Sequence, residues 1–339
     1  MIGSLVVTAG SGNRANENHG IANTHIATGS GNDDVIGRAS TTAADGAIGN
    51  FTTVTDTDGI HGSTIETGVG RDTVIGRTAA TTGDQTALDE LDGIETSTID
   101  TGKGDDSVTG ISSVTVVGTG TVNSGIDDTH IATGSGCDAV IGRVSVTGDA
   151  TSDIGDNNGI HASEIFTGRD NDLVKGIASL SGLSASDPGT AFGDGIQGGI
   201  IDTGDGADTV IGLGADISLN GSGTSEGLDS TVIDLGSGND TVFARGGAAG
   251  ISHVLIDGRR GDDLFDVNSG TGTLNGGFGD DRLILAKNST DYEFIDTGVH
   301  SGTIADSATS GDATYLLVGT IEEFTFDNGT FTFDQLFMA

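Results

Sequence analysis

Nine aspartates occupy the same place in a recurring segment, which reads apolar, any, small, Gly, any, Gly, any, Asp, any, apolar. Glycine tolerates positive φ and close backbone approach, so such a turn can direct several carbonyl oxygens toward one point. The aspartate adds a charged carboxylate beside them. Oxygens in a flexible ring suit a hard cation with roughly six to eight ligands, which favours calcium over magnesium. These residues, called here the aspartate column, are Asp33, Asp72, Asp106, Asp138, Asp172, Asp208, Asp240, Asp263 and Asp281.

The turn glycines are the second set of candidate cation-binding residues, because their carbonyls would complete each site. In the copies with an intact Gly-x-Gly-x-Asp sequence they are Gly29, Gly31, Gly68, Gly70, Gly102, Gly104, Gly134, Gly136, Gly204, Gly206, Gly236, Gly238, Gly277 and Gly279.

The spacing of the aspartates indicates a repeat architecture. Successive members are separated by 39, 34, 32, 34, 36, 32, 23 and 18 residues, a constant core with a variable remainder. Most copies are preceded by a second shared segment, such as "GIHGSTI" at 59 or "GIDDTHI" at 125, and followed by "VIG" or a similar run. Short β-branched runs bounded by glycine indicate strands. Each repeat is therefore predicted to be a strand, a turn, a strand and a variable loop.

Stacking these repeats predicts an all-β fold, a parallel β-solenoid of the β-roll or β-helix type. One coil per repeat is favoured because the turn occurs once per repeat, and two coils per long repeat is the alternative. In register, the isoleucines form an inner column and the aspartates line one edge. Carboxylates stacked at the strand spacing of ~4.8 Å repel one another without a cation between them. Metal binding is therefore expected to drive folding.

The overall charge also favours cations as partners. The chain has 50 acidic and 13 basic residues, for a formal charge of -37, so nucleic acid and membrane insertion are not expected. No run approaches the roughly 18 to 20 apolar residues of a membrane span. The opening "MIGSLVVTAGSGNRANENHG" lacks the basic and apolar regions of a Sec-type signal peptide. Cys137 is the one cysteine, so no intramolecular disulfide forms, and we expect it at the surface.

The segment "GGFGDDRLI", residues 276 to 284, resembles the nonapeptide of the RTX, or hemolysin-type calcium-binding, family. The resemblance implies that the turns bind calcium through carbonyls and the aspartate, and that the next residues form a short strand of a parallel β-roll. It also carries the family's ligand role over to the aspartate column. Most copies here begin Thr-Gly rather than Gly-Gly. Asp170 replaces the second glycine of the fifth copy, and Arg259-Arg260 alters the eighth, so the strongest sites are expected in the intact copies.

The C-terminal segment is similar to the segments that close many RTX arrays. We predict an array over residues 1–285 and a β cap over residues 286–339. In the cap, Phe324, Phe326, Phe331 and Phe333 alternate around the turn "DNG" and indicate a terminal strand pair. By resemblance this region also carries an uncleaved type I secretion signal, which implies a secreted, extracellular or cell-surface protein.

Catalytic readings find less support in the sequence. His25 and His130 share one column of the repeat and His61 and His161 another, in copies that are not adjacent, so solvated positions are expected for the histidines. A column of threonines before the turns suggests an ice-binding face, but hydroxyls bonding within the turn is the favoured reading. A β-helix polysaccharide-modifying enzyme would need a groove with clustered basic residues and aromatic platforms, and none stands out. The protein is therefore not expected to be an enzyme.

The function predicted from these observations is a secreted calcium-binding structural protein that folds and self-assembles into a filament or layer on calcium binding. The strand-like N-terminal run has no charge before Arg14 and no proline, so it would leave an open edge for association. The alternative is a calcium-dependent adhesin that binds a surface polysaccharide through its loops. A polymer would assemble with calcium alone, whereas a binding module would stay monomeric.

Overall fold

The structure is a computed structural model that is built almost wholly from β-strands. It describes residues 2–9, 14–16, 18–43, 52–81, 86–116, 122–148, 154–182, 191–215, 225–306 and 315–338. None of the helices in these ranges is long and apolar enough to span a bilayer.

One long sheet, called sheet A, contains the strands that follow the aspartates. In spatial order its described strands are Ile2–Ala9, Asp34–Ala43, Thr73–Thr81, Ser107–Val116, Ala139–Gly148, Leu173–Ser181, Thr209–Leu213, Thr241–Arg245, Leu264–Val267, Arg282–Ile284, Glu323–Phe326 and Gly329–Thr332. All pairings are parallel except the last, and equivalent repeat residues pair: Val74 lies opposite both Val35 and Val108. Each repeat thus adds one strand to sheet A, which confirms the parallel solenoid and selects one coil per repeat.

The opposite wall, called sheet B, begins as two parallel ladders. The first ladder holds Ile21–Ala22, Ile60–His61, Ile94–Glu95, Asn123–Asp127, Ile154–His161, Ile196–Gln197 and Glu226–Asp229. The second ladder holds His25–Ala27, Thr64–Glu66, Thr98–Asp100, His130–Ala132, Glu164–Phe166, Ile200–Asp202 and Val232–Asp234. Both ladders merge in Ala249–Asp257, which pairs with Gly270–Asn275. The short strand Ala191–Phe192 pairs in parallel with the start of Ile154–His161. Loop residues form a separate small parallel sheet, which contains Arg14–Asn16, Thr52–Thr55 and Thr86–Asp89.

The hydrophobic core consists of three stacked columns between the two sheets. In the third coil these are Ile94 and Ile99 from sheet B and Val108 from sheet A, each fully buried. The same positions in other coils carry Ile, Val, Leu or Phe. One coil could not bury these side chains by itself, so the stack is the cooperative unit.

Glycines in both sheets allow the coil to close to a narrow waist. A Cβ on Gly76 of sheet A would lie 2.0 Å from the carbonyl oxygen of Gly93, which precedes the first ladder of sheet B. A Cβ on Gly93 would lie 2.1 Å from the amide of Ile111. Only glycine permits this contact, which explains why "VIG" and "GI" recur together. The waist separates the apolar core from a second compartment on the loop side.

The C-terminal segment ends the stack with antiparallel structure. Tyr315–Gly319 adds to Gly270–Asn275 and continues antiparallel into Ser301–Asp306 and Tyr292–Gly298. Glu323–Phe326 and Gly329–Thr332 form the hairpin expected around "DNG". Phe333 was predicted to lie in that strand pair but begins the helix Phe333–Phe337, and a 3-10 turn spans Ser289–Asp291. The boundary between array and cap at residue 285 stays a prediction.

Candidate metal centre

The aspartate column forms a continuous ladder that connects all nine coils. In each of the first eight coils the aspartate's backbone N–H donates to Oδ1 of the aspartate in the next coil, at 2.7 to 2.9 Å. Apart from Asp33, the side chains are at most 3% exposed. The sequence prediction that these residues stack at one edge is confirmed by this geometry, whereas a ligand role for them stays a prediction.

The second carboxylate oxygen of every aspartate in the column is buried without a hydrogen-bond partner among the described residues. A buried, unpaired carboxylate oxygen is costly. Nine in one row constitute a systematic deficit of positive charge or donors. The row supplies hard oxygen donors of the type calcium selects, so the donor chemistry fits the cation implied by the RTX resemblance.

In most of the intact turns the second glycine is required by both its backbone angle and its surroundings; Gly206 lacks the positive φ and Gly31 lacks the close contact. Gly70 and Gly104 have φ of 159° and 128°. A Cβ on Gly104 would lie 1.5 Å from the carbonyl oxygen of Gly70, so this carbonyl points along the stack toward the next turn. The first-glycine carbonyls are occupied, since Lys103 N–H donates to Gly68 O at 2.9 Å. Within the described turns no amide donates to the Gly70 carbonyl, which leaves it available as a cation ligand.

The two altered turns keep the conformation of the others. Asp170 takes the place of the second glycine with φ of 77°, and Arg259 takes the place of the first glycine with φ of 67°. Both are strained for a residue with a side chain. Arg259 forms ion pairs with Asp234 and Asp257 that hold its side chain outside the turn. The aspartates of the two altered copies, Asp172 and Asp263, therefore keep their hydrogen bonds in the aspartate column.

The ladder ends on a glutamate that the repeat motif did not indicate. The backbone N–H of Asp281 donates to Glu322 Oε2 at 2.9 Å, and the N–H of Gly277 donates to Thr320 Oγ1 at 2.7 Å. Glu322 thus acts as a tenth carboxylate of the column, supplied by the C-terminal segment. No motif identifies it, because its position depends on the antiparallel return of that segment.

Burial raises the pKa of the column aspartates from Asp106 to Asp281. It raises the pKa of Asp172 to about 7; the N–H of Asp138 and the nearby Thr167 hydroxyl oppose the rise, and the neighbouring carboxylates of Asp138 and Asp208 add to it. Burial raises the pKa of Asp263 to about 8, with further contributions from Asp240 and Asp281. The column therefore binds protons near neutral pH unless a cation replaces them.

The threonine column lies inside the turns and not on an open face. Its members Thr67, Thr101, Thr133, Thr167 and Thr203 are fully buried. Each hydroxyl donates to a carbonyl of the next coil, as Thr167 Oγ1 does to Thr203 O at 3.1 Å. The hydroxyls thus bond inside the stack, but to the next coil and not within their own turn as expected, and a buried column offers no surface to ice.

A second polar column lies on the loop side of the glycine waist. Its hydrogen bonds run in the opposite sense: the N–H of Asp92 donates to Asp58 Oδ1 at 2.9 Å, and the N–H of Glu226 donates to Asp194 Oδ1 at 2.6 Å. Burial raises the pKa of Asp92 well above its ordinary value and that of Asp194 to about 8. This column was not recognised in the sequence, although every member stands directly before a "GI" or "GL" pair.

The histidines share the columns predicted for them, since His61 and His161 fall in the first ladder of sheet B and His25 and His130 in the second. The prediction of solvated positions is wrong for His19, whose side chain is 9% exposed and stacks on His61 with ring centroids 4.4 Å apart. The signal was "HGI" at 19, which aligns with "DGI" at 58. Cys137 is exposed, as predicted.

Two groups of described side chains bring three or more metal-ligating atoms within 4.8 Å of one another: His19 with Asp56, Asp58 and His61, and Asp58 with Asp92 and Glu95. The chain thus has acidic and histidine groups able to hold a metal ion, and they are distinct from the aspartate column. Searches against family models, curated proteins and solved structures give no match. The RTX resemblance therefore depends on the sequence motif alone.

Proposed function

We propose that the protein is a secreted calcium-binding structural protein of the RTX type, whose solenoid folds when calcium neutralises the aspartate column. The observation that carries the proposal is the row of nine buried, unpartnered Oδ2 atoms. The column aspartates and the second-glycine carbonyls, which accept no amide within the described turns, are the groups that would hold such cations. Calcium suits this set because it accepts oxygen ligands in irregular geometry, whereas magnesium demands a near-ideal octahedron.

The electrostatics of the stack explain why folding should depend on the ion. Adjacent carboxylates at the strand spacing of ~4.8 Å repel by about 3 kcal/mol at an effective dielectric of about 20. With a formal charge of -37 the rest of the chain adds to this repulsion. The interior apolar columns stabilise the stack, but they cannot remove the charge. Calcium binding and folding are therefore one coupled process.

The ends of the stack support self-association as part of the function. Among the described residues Ile2–Ala9 pairs only with Asp34–Ala43, so within these residues it is an edge strand of sheet A. The opposite end is closed by a hairpin and by Phe324, Phe333 and Phe337, whose rings pack together. An open strand edge pairs with another chain unless it is blocked. We infer end-to-end or lateral assembly on calcium binding, at the surface of the secreting cell.

The proposal is tested by following secondary structure and assembly of the purified chain with calcium and with a chelator. Calcium should produce β-type circular dichroism, and electron microscopy should then show filaments or sheets. If the chain folds with calcium but stays monomeric at high concentration, calcium-dependent folding stands and self-assembly does not. The function would then be that of an adhesin that binds a surface polysaccharide. A full β spectrum in chelator would contradict the calcium-dependent fold itself.

A further inference from the structure

The stacking of the first two coils brings two histidines together on the loop side of the waist. Ile21 pairs with Ile60 in the first ladder of sheet B, so His19 takes the position that Asp58 has in the next coil. His61 is on the same strand as Ile60 and lies beside both. The two imidazole rings stack with an interplanar angle of 11°, so they would have to rotate for their in-plane lone pairs to meet at one ion. Asp56 directly follows the loop strand Thr52–Thr55, and its carboxylate lies near both histidines.

One ligating atom from each of these four residues lies within 4.8 Å of the others, although Asp58 and Asp56 face different nitrogens of the His19 ring. His19 Nδ1 lies 3.1 Å from Asp58 Oδ2, and His61 Nδ1 lies 3.3 Å from the same oxygen. Asp56 Oδ1 lies 3.9 Å from His19 Nε2 and 4.0 Å from His61 Nδ1. A tetrahedral zinc ion with bonds of about 2.0 to 2.1 Å requires its ligand atoms to be roughly 3.3 Å apart. The observed separations bracket that value.

Three polar atoms of the cluster are buried without a hydrogen bond, whereas His61 Nδ1 pairs with Glu95 Oε2 at 2.7 Å. Asp58 is fully buried, and its Oδ2 has no hydrogen-bond partner among the described residues, in spite of its closeness to both rings. His19 Nδ1 and Asp56 Oδ1 are also buried without a hydrogen-bond partner among the described residues. Asp56 is 34% exposed, so the cluster communicates with solvent on one side. Three unpaired atoms that face one another indicate a missing central partner.

We propose that His19, Asp56, Asp58 and His61 form a binding site for zinc or a similar late first-row divalent ion, separate from the aspartate column. Imidazole nitrogens suit zinc, copper, iron and nickel, whereas calcium and magnesium select oxygen ligands alone. Two imidazoles and two carboxylates fill a tetrahedral shell, which is typical of a structural site. The ion would fasten the first coil to the second, at the end of the stack that holds the edge strand Ile2–Ala9 of sheet A.

The chain contains its own matched control for this site. His161 occupies the same column as His61, three coils further along, and its Nδ1 lies 2.5 Å from Asp127 Oδ1. Its neighbour on the other side is Gln197, so no second imidazole is present. His161 has the surroundings of an ordinary ion pair. Substitution of His161 should therefore remove a histidine from the column without affecting zinc.

The test is a zinc titration of the full chain in millimolar calcium, so that oxygen sites are filled by the harder ion. A chromophoric chelator competes for zinc, and cobalt(II) is used in parallel because its visible spectrum reports tetrahedral coordination. We expect one tight ion per chain and a tetrahedral cobalt spectrum for the unaltered protein. His19→Gln and His61→Gln should each weaken binding at least tenfold, whereas His161→Gln should leave it unchanged.

Three results would overturn this proposal. They are a cobalt spectrum without tetrahedral bands in the unaltered chain, equal losses in all three histidine variants, and loss of the ion on Cys137→Ser, which would assign it to the exposed thiol. Circular dichroism of each variant in calcium shows whether the solenoid is intact. None of these results depends on calcium binding by the aspartate column, so the two proposals can fail separately.

Discussion

Asp172 accepts the backbone N–H of Asp138 with one carboxylate oxygen, at 2.8 Å, and buries the other without a partner. The first contact holds two coils in register, and the second leaves an unmet demand for a cation or a proton. Because the same arrangement recurs in every coil, the residue that aligns the stack is also the one that makes it depend on a bound charge. The predictions below separate these two roles.

Asp208→Asn should weaken calcium binding about tenfold or more and also stabilise the calcium-free protein. The asparagine keeps an oxygen to accept the N–H of Asp172, so the register is preserved. It removes one negative charge, which lowers calcium affinity because ligand charge sets the affinity of such sites. The same loss relieves repulsion from the two adjacent rungs. Isothermal titration with calcium measures the first effect, and the pH at which β-type circular dichroism is lost in chelator, which should rise, measures the second.

Asp205→Asn is the matched control, since Asp205 lies in the same turn but is exposed and bonds with Ser237 at the surface. It should change the free energy of calcium binding by no more than about 0.5 kcal/mol and should raise that pH much less than Asp208→Asn does, since it removes only one exposed charge near Asp208. Equal effects of the two substitutions would show that the overall negative charge matters and the column does not.

The calcium-free protein should lose stability as the pH rises from about 4 to about 8. Burial raises the pKa of Asp138 to about 6, of Asp240 to about 7 and of Asp263 to about 8. The folded state therefore holds more protons than the unfolded state in this range, and the free energy of unfolding falls as they dissociate. Saturating calcium should flatten this dependence. Thermal unfolding in chelator and in calcium across the range checks it, and a rise of stability with pH in chelator would contradict it.

Gly104→Ala should destabilise the stack much more than Gly31→Ala. Both glycines hold similar positive φ, 128° and 124°, and alanine loses about 1 to 2 kcal/mol in that region. A Cβ on Gly104 would also lie 1.5 Å from Gly70 O, whereas a Cβ on Gly31, in the first turn, meets nothing within 4 Å. The difference in urea unfolding between the two variants in calcium isolates the contact between coils. Equal losses would mean that the turns do not stack as described.

Val6→Lys should leave calcium-induced folding intact and reduce assembly. Val6 lies in Ile2–Ala9, the edge strand of sheet A, and a lysine on an edge strand opposes pairing with another chain. Analytical ultracentrifugation in millimolar calcium measures assembly, with circular dichroism as the control for folding. If the unaltered protein is monomeric at high concentration, the structural polymer is wrong and the adhesin takes its place.

Much of the fold could be predicted because the repeat encodes it directly. The constant distance from glycine pair to aspartate to "VIG" fixes which residues stack, so Val35, Val74 and Val108 align in the structure as they do in the sequence. The presence of one turn per repeat also selected one coil over two. The role of Gly76 and Gly93 could not be predicted from the sequence, because it depends on contact between opposite sheets.

The parts that sequence reasoning missed depend on places where the repeat is broken. Glu322 completes the aspartate column from a segment without the motif. His19 replaces the usual aspartate of its column, so the pair with His61 exists only because one coil departs from the pattern. Phe333 continues the alternation of the preceding strand but enters a helix, because its ring packs against Phe337. The repeat pattern predicts the features that all coils share, but it does not predict what happens in a coil that departs from the pattern.

The most direct test of the central claim is a far-ultraviolet circular dichroism titration of the chain with calcium from a chelated start at pH 7.5, combined with a count of bound ions by equilibrium dialysis. We predict a largely disordered spectrum in chelator and a cooperative gain of β signal, with several calcium ions bound per chain at saturation and little response to equal magnesium. A β spectrum that is complete in chelator and unchanged by calcium would contradict it.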